Sequence, residues 1–503
     1  MTAPIRKILI VGGGTAGWMT AAALNVAMRG SVAIELIESD EIGTVGVGEA
    51  TLPTIREFNH NINLDEAEFL KATQGTFKLG IEFPDWREPG TRFFHGFGDY
   101  VVNDGPFSTL NHWLIARDAL GEGAGTLDEY HMAAAMAHAG RFAPPVDDPR
   151  SPLFYFSYAY HFDAGLYARL LRTRSEANGV VRHEGRIAQT HLKGENGFIE
   201  AVELSDGRRL TADLFVDCSG FVSLLMGKAM DVPFVDYGHW LPVDRAWAVP
   251  CRGVGPLLPF TRAIAREAGW QWRIPLQHRV GNGYVFSSAH ISEDEARARL
   301  MGSLEGEALA EPRLLRFRTG RRESFWTRNC VAIGLSSGFI EPLESTSISL
   351  IQNGISRLIN LLPDTGFVPA LAREYNRVQA LEFDRIRDFI VLHYAGSHRD
   401  DTPFWRDIRA MSLPDSLQYK IETFRETGVV PLLNEESFVT PSWQAVLCGL
   451  GIVPKRRDAL LSAVPQGEVL EAMRLRRGSL KAAAERLPTM DAFIDRFCKA
   501  FPA

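Results

Sequence analysis

Lys7-Ile-Leu-Ile-Val-Gly-Gly-Gly-Thr-Ala-Gly-Trp18 is the stretch that decides the fold. Ile8 to Val11 is an apolar, β-branched run of the kind that forms a buried parallel strand. The run breaks on Gly12, Gly14 and Gly17, a G-x-G-x-x-G, and a helical pattern of Met19, Ala22, Ala23, Val26 and Ala27 follows. Gly12 permits the tight turn, Gly14 lets a pyrophosphate approach the backbone, and Gly17 lets helix and strand pack closely. The N–H groups at the helix start, around Thr15 and Ala16, then face the phosphates along the favourable end of the helix dipole. A second strand, Val32 to Ile37, ends at Glu38, at about the 20-residue distance where a carboxylate meets a ribose 2′-OH. The glycine spacing alone marks many tight turns, but with the strand before it, the helix after it and the acid beyond, it reads as dinucleotide binding.

With 503 residues, 46% of them hydrophobic and 23% charged, the chain is large enough for two or three fused domains. A net charge of −7 gives no sign of a nucleic-acid partner, and the basic stretch Arg474 to Arg477 reads as a solvated helix face. The five cysteines are scattered and odd in number, which argues for a reducing compartment and against a disulfide framework. The N-terminus runs directly into the first strand and no apolar run reaches transmembrane length, so the expectation is a cytoplasmic protein without membrane contact. The histidines form no close ligand pair, and no metal is expected.

After Glu38 comes a glycine-punctuated segment, Ile42 to Pro53, in which Gly48, Glu49 and Ala50 belong either to a mobile loop or to backbone lying against a flat ligand. A helix is expected from Thr54 to Gln74. Lys78 follows, among Phe77, Leu79 and Ile81. On pattern alone it reads as a snorkelling surface lysine; pointing inward, it would need partners or a purpose. Pro89 to Pro152 shows few clean periodicities, although Phe93 to Gly98 suits a pocket lining as well as a loop core. A helix from Asp163 to Asn178 and strands at 180–183, 187–192 and 197–204 lead to Ala212-Asp-Leu-Phe-Val-Asp-Cys-Ser-Gly220, a second strand-to-turn element of a discontinuous nucleotide domain. Trp270-Gln-Trp-Arg-Ile-Pro275 reads as a strand with Trp270, Trp272 and Ile274 on one face, either core or pocket wall, and Gly281-Asn-Gly283 reads as the turn to a partner strand from Tyr284 to Ser287. A strand from Cys330 to Ile333 enters Gly334 to Ser347, where Ser345 or Thr346 is a natural N-cap for a helix reaching about Leu362. Glu344, just before it, is on its own a helix-dipole carboxylate. Beyond residue 365 the chain reads as mostly helical.

Taken together, Gly12-x-Gly14-x-x-Gly17, Gly46-Val-Gly-Glu-Ala-Thr-x-Pro53, Lys78, Trp270-x-Trp272-x-Ile274-Pro275 and Gly338-Phe-Ile-Glu-Pro-Leu-Glu344-Ser-Thr resemble the flavin-dependent halogenases of the tryptophan-halogenase family, over nearly the whole chain. The first motif is shared with many flavoproteins, whereas W-x-W-x-I-P separates halogenases from flavin hydroxylases. The resemblance implies an α/β fold: a discontinuous, Rossmann-like FAD-binding domain of the flavin-monooxygenase type, an inserted mixed β-sheet substrate region and a mostly helical C-terminal subdomain. The expected boundaries are a core over 1–365, with nucleotide-binding segments at about 1–85, 155–225 and 325–365, and a subdomain over 366–503.

It also implies the chemistry. FADH2 comes from a separate NADH-dependent flavin reductase and reacts with O2 to a C4a-hydroperoxide; halide (bromide or chloride) then gives hypohalous acid. Lys78 matches the lysine that activates this acid against an electron-rich aromatic ring, and Glu344 the glutamate that orients the electrophile and takes the ring proton. Gly334 and Ser345 fall with the flavin site, Thr346 and Ser347 with the halide site. The usual family residue at the position of Ser347 is glycine, a departure expected to bear on the choice of halide. His95 and Phe97 match residues that stack on indole, and the Trp270–Pro275 wall would keep substrate from the hydroperoxide. Trp443-Gln444 stands where tryptophan halogenases carry a tyrosine pair that helps hold the amino acid, so indole or an indole derivative is expected rather than free tryptophan. A hydroxylating FAD monooxygenase would leave Lys78 and W-x-W-x-I-P unexplained, and a flavin-binding protein without turnover would need neither Lys78 nor Glu344. The expected assembly is a monomer or homodimer.

Overall fold

In the computed structural model the structure describes residues 3–41, 48–100 and 108–501. Residues 42–47 of the glycine-punctuated segment, Gly46 among them, lie outside the described residues, as do 101–107. The chain forms two compact units, each assembled from three segments.

The first unit comprises Met1–Gln74, Phe162–Gly238 and Phe317–Asp384. Its six-stranded sheet runs Trp326–Thr327, Cys330–Ala332, Leu214–Asp217, Lys7–Val11, Ala33–Glu38, Val181–Glu184, with every pair parallel except the first. The register aligns Val11 with both Ile37 and Asp217, and Asp217 with Ala332. The carboxyl ends of the central strands, with Gly12, Glu38, Asp217 and Gly334, thereby gather along one edge, where open α/β sheets bind ligands. Ile8, Leu9 and Ile10 are wholly buried because the sheet is covered on both faces. The helices Thr15–Met28, Ala164–Ala177 and Ser347–Asn360 pack together, while Leu9, Val11, Ile37 and Phe215 share a core with Ile199, Val202, Leu225 and Met226. The helix expected over Thr54 to Gln74 is two helices, Thr54–Asn61 and Glu66–Ala72. Asn63 between them takes a left-handed conformation (φ 55°), and the Asp65 carboxylate caps the second helix by accepting from the Glu68 N–H.

The second unit comprises Gly75–His161, His239–Arg316 and Arg385–Ala503. Its seven-stranded sheet runs Arg313–Arg316, Arg245–Cys251, Val280–Phe286, Gly269–Pro275, Thr261–Arg266, Gly80–Pro84, Arg92–Gly96. The expected turn at Gly281-Asn-Gly283 is instead strand interior, and the hairpin turns between Leu276 and Arg279. Gly283 is opposite Trp272, and a Cβ on it would lie 2.0 Å from the indole, so the glycine makes room for the ring rather than a turn. The stretch from Pro89 to Pro152, which showed little periodicity, contains the strand Arg92–Gly96 and the helices Thr109–Leu120 and Met132–His138. The C-terminal segment supplies Pro403–Arg409, Asp415–Thr427, Thr440–Gly449, Gln466–Glu485 and Met490–Phe497, a helical region as expected. A Cβ on Gly449 would lie 2.3 Å from the Phe93 ring, which shows how closely the helix Thr440–Gly449 is pressed onto its strand.

Candidate active site

In the first unit the site is built from backbone. Gly12 has φ 113°, and a Cβ there would meet the Cys218 carbonyl oxygen at 2.3 Å; one on Gly17 would meet the Gly12 carbonyl oxygen at 1.8 Å. A Cβ on Gly14 would meet nothing within 4 Å, and Gly14 is also the N-cap of the helix Thr15–Met28, where it offers no side chain to cap the first N–H groups. The turn is closed where packing demands it and open where a pyrophosphate needs access. The Glu38 carboxylate leans over it, near enough that a Cβ on Gly13 would overlap its Oε2. That oxygen accepts from Trp18 Nε1 (3.2 Å), while Oε1 is held by Arg182 Nε (2.5 Å) and Arg172 (3.1 Å). Gly334, with φ 77°, is set so that a Cβ would lie 2.7 Å from that of Ala16, so the two strand-to-turn elements meet.

Gly48, Glu49 and Ala50, expected outside regular structure because of the glycines, form a short strand instead. Burial pushes the Glu49 carboxyl up to about 7. Asp217, to which no role was assigned from sequence, is wholly buried and saturated: its carboxylate accepts from Ser219 N and Oγ and from the N–H groups of Leu225 and Met226. It anchors the turn after its strand.

Glu344 is wholly buried at the end of the 3₁₀ turn Pro342–Glu344, just before the helix Ser347–Asn360. Ser345 is left-handed (φ 63°), a conformation that costs about 1–3 kcal/mol in a residue with a side chain and is found mostly where function demands it. Thr346 is the N-cap of the helix Ser347–Asn360, but its side chain does not cap: the buried Oγ1 has no hydrogen-bond partner among the described residues. An unsatisfied hydroxyl beside the open N–H groups of a 14-residue helix suits an anion.

In the second unit the site is built from side chains. Lys78 ends the strand Thr76–Lys78, which pairs antiparallel with Ala159–His161, and it is wholly buried, not snorkelling. Its ammonium sits 4.9 Å from the centroid of Phe97. Side chains alternate across a sheet, so the register places Ile81, His95, Thr261, Trp270, Trp272 and Ile274 on one face of the seven-stranded sheet. From Phe97 an aromatic series continues through His95 (6.3 Å) to Phe389 (5.8 Å), and Phe389 stacks on Phe438 (3.9 Å) and meets Trp443 edge-on (4.8 Å). Trp443 itself is wholly buried, donates its N–H to the Phe438 carbonyl and lies under the Lys420 ammonium (4.2 Å). Trp270 and Trp272 are in mutual contact (6.2 Å) and nearly inaccessible.

Sequence reasoning passed over His161. Its Nδ1 is 2.9 Å from Thr76 Oγ1 and its Nε2 2.9 Å from Thr261 Oγ1, and Thr76 Oγ1 donates to the Pro275 carbonyl (2.7 Å). Burial, reinforced by the Lys78 charge, holds this imidazole well below its usual range and therefore neutral. Phe389 and Phe438 were also missed, since nothing local in sequence connects them to His95.

The sequence model of the tryptophan halogenase family matches residues 7–466. The chain belongs to the tryptophan halogenase family. Tryptophan 6-halogenase SttH of Streptomyces toxytricini is 38% identical over 495 residues, 91% of each chain. Among solved structures, BrvH, a flavin-dependent halogenase from Brevundimonas sp. BAL3, superposes with a TM-score of 0.94 at 46% identity over 98% of this chain and 99% of its own. Xcc4156, a flavin-dependent halogenase from Xanthomonas campestris, gives 0.95 at 44% over 99% and 100%. This tryptophan-halogenase-family protein is accordingly an FADH2-dependent oxidoreductase, using halide and O2 with FADH2 from a separate flavin reductase. The open space beside Gly14 and the Glu38 carboxylate over Gly13 suit the adenosine diphosphate part of FAD. No helix among the described residues is long and apolar enough to cross a membrane, and no metal-binding cluster is found among them.

Proposed function

We propose that this halogenase acts on indole or another electron-rich aromatic lacking an amino-acid tail. The observation that carries the reading is the fully buried Lys78 ammonium at the head of the aromatic series Phe97, His95, Phe389 and Phe438, beside the face that bears W-x-W-x-I-P. FADH2, O2 and halide together supply electrophilic halogen as hypohalous acid. Lys78 receives this acid and, by hydrogen-bonding to it as an ammonium, holds it and polarises it toward the ring. His95 and Phe97 orient the ring. Glu344 takes the proton lost on re-aromatisation, the part that its match to the family's glutamate gives it. Gly12, Gly14, Thr15, Ala16, Gly17, Glu38, Gly48, Glu49, Ala50, Gly334 and Ser345 hold the flavin, and Thr346 with Ser347 the halide.

Trp443 supports the absence of an amino-acid grip. Its only polar group is spent on the Phe438 carbonyl, and the nearby Lys420 is bonded to Glu436 and to the Pro431 carbonyl (2.7 Å). The cation over the Trp443 ring is therefore already engaged rather than held open for a zwitterion. The protein is further proposed to be cytoplasmic, as a monomer or homodimer.

The test is mass spectrometry of reactions containing FAD, a flavin reductase, NADH, bromide and either indole or tryptophan, with wild type beside Lys78→Ala. Brominated indole that disappears in Lys78→Ala is expected, with a loss of at least about 100-fold. Efficient bromination of free tryptophan overturns the substrate assignment, and a hydroxylated product overturns the role of Lys78.

A further inference from the structure

The structure poses a question about the setting of Lys78. The residue diagonally across from the Lys78 ammonium on the paired strand is a histidine, whose lone pair could accept from it. Thr76 is opposite His161 and Lys78 opposite Ala159, so Thr76, Lys78 and His161 share one face, with Lys78 and His161 in the diagonal relation that spans roughly 7–8 Å. All three are wholly buried, and Thr261 is 4% exposed.

The hydrogen bonding fixes the state of the ring. Thr76 has one hydroxyl proton, which it gives to the Pro275 carbonyl. Toward His161 it can therefore only accept, which assigns the proton to Nδ1. Neutral imidazole then has a lone pair at Nε2, and Thr261 Oγ1 is placed to donate to it. The result is a chain running in one direction: Thr261 hydroxyl to His161 Nε2, His161 Nδ1–H to Thr76 hydroxyl, and Thr76 hydroxyl to the Pro275 carbonyl. Each member is satisfied, and such chains are stiffened by mutual polarisation.

We infer that Thr261, His161 and Thr76 form a positioning device for Lys78. The chain fastens the Lys78 strand to Pro275, the last residue of W-x-W-x-I-P, and occupies both nitrogens of His161, so that the imidazole offers the ammonium no acceptor. A carboxylate in this place would capture the ammonium; an aliphatic residue would break the link between the Thr261 and Thr76 hydroxyls. Burial and the Lys78 charge, which keep the imidazole neutral, hold the chain in this one direction. The inference rests on the role of Lys78 proposed above.

The experiment uses Thr76→Val, which keeps the β-branched shape and removes the hydroxyl, with Thr76→Ser as the conservative variant and Thr261→Val as a second break at the far end. Each is assayed as FAD-loaded enzyme with reductase, NADH, bromide and indole. Brominated indole, hypohalous acid escaping to an added β-diketone trap, KM for indole and melting temperature are recorded. Displacement of a reacting group by about 1 Å costs on the order of 100-fold in rate. Thr76→Val is expected to lower the kcat for bromoindole by about ten- to hundredfold, with KM for indole within about twofold, while trapped acid rises so that the sum of trap and product per NADH is held. Thr76→Ser is expected to restore product, and Thr261→Val to repeat the shift at smaller size. The inference is overturned if product and trapped acid fall together, if only the melting temperature moves, or if serine fails to restore coupling. Wild type that brominates indole no faster than Lys78→Ala would instead remove the role of Lys78, and with it the inference.

Discussion

The nucleotide turn and the lysine pocket are built on opposite principles. Around Gly12, Gly14 and Gly17 the structure works with backbone: side chains are excluded at two positions by contacts of 2.3 and 1.8 Å and are simply not needed at the third. Around Lys78 it works with side chains that come from residues 76, 97, 161, 261 and 438, joined by sheet register and aromatic contact. A backbone site depends on where atoms are absent. A side-chain site depends on pairs that are far apart in the chain, and it fails when one partner is changed.

The largest effect expected from this contrast is within the turn itself. Gly17→Ala pushes a methyl group onto the Gly12 carbonyl oxygen, which belongs to rigid backbone and cannot give way. The first unit should lose at least about 3 kcal/mol, with loss of bound flavin and aggregation on expression. Gly14→Ala, three residues away, meets open space. It should leave the melting temperature of the flavin-free protein within about 2 °C and weaken FAD binding by about tenfold, as the methyl takes the room the pyrophosphate needs. Comparison of thermal melts and FAD titrations for the two variants checks this. Equal loss of stability in both would mean that the turn is not open at Gly14.

The same contrast explains what could be read from sequence. The four inner strands of the six-stranded sheet were signalled by local apolar residues, because parallel strands covered on both faces are largely hydrophobic, whereas the edge strands Trp326–Thr327 and Val181–Glu184 carry no such run. The glycines of the turn were legible for the same reason: their spacing is local. Lys78 could not be placed inside or outside from its neighbours, since a lysine among apolar residues has the same pattern whether it snorkels or is buried, and only the pairing with Ala159 decides. Gly281-Asn-Gly283 misled because glycine that makes room for Trp272 across a strand is indistinguishable, in one sequence, from glycine that makes a turn. His161 carried no signal at all. Its meaning comes from two hydroxyls, one 85 residues before it and one 100 residues after.

A smaller effect is expected at a buried carboxyl of the first unit. Glu49 has its carboxyl raised by burial to about 7, against an ordinary value of 4.5. Between those values the folded protein holds a proton that the unfolded chain has released, so folding stability falls as pH rises from 4.5 to 7 and is level above that. Glu49→Gln removes this dependence. The difference in melting temperature between variant and wild type, measured without flavin, should therefore widen in favour of glutamine from pH 4.5 to pH 7, by about a few degrees, and then stay constant. A difference that does not vary with pH would show that Glu49 ionises as an exposed carboxylate does.

The smallest effect tests whether a backbone site tolerates side-chain change. Ser347 begins the helix whose N-terminus, with the unsatisfied Thr346 hydroxyl, is proposed to hold the halide, at a position where the family resemblance leads one to expect glycine. Serine keeps the same N–H, so the donors are unaltered, and only the volume and polarity beside them change. Ser347→Gly should leave total halogenation within about twofold, because the binding groups survive, and should shift the bromide-to-chloride product ratio by about two- to fivefold when both halides are present at equal concentration. Bromide and chloride differ in size and in hydration but not in charge, so a donor set made of backbone distinguishes them only through the shape of its walls. An unchanged ratio would mean that residue 347 forms no part of those walls. A loss of total activity would mean that the serine hydroxyl itself binds, and that this end of the first unit, like the lysine pocket, works through side chains.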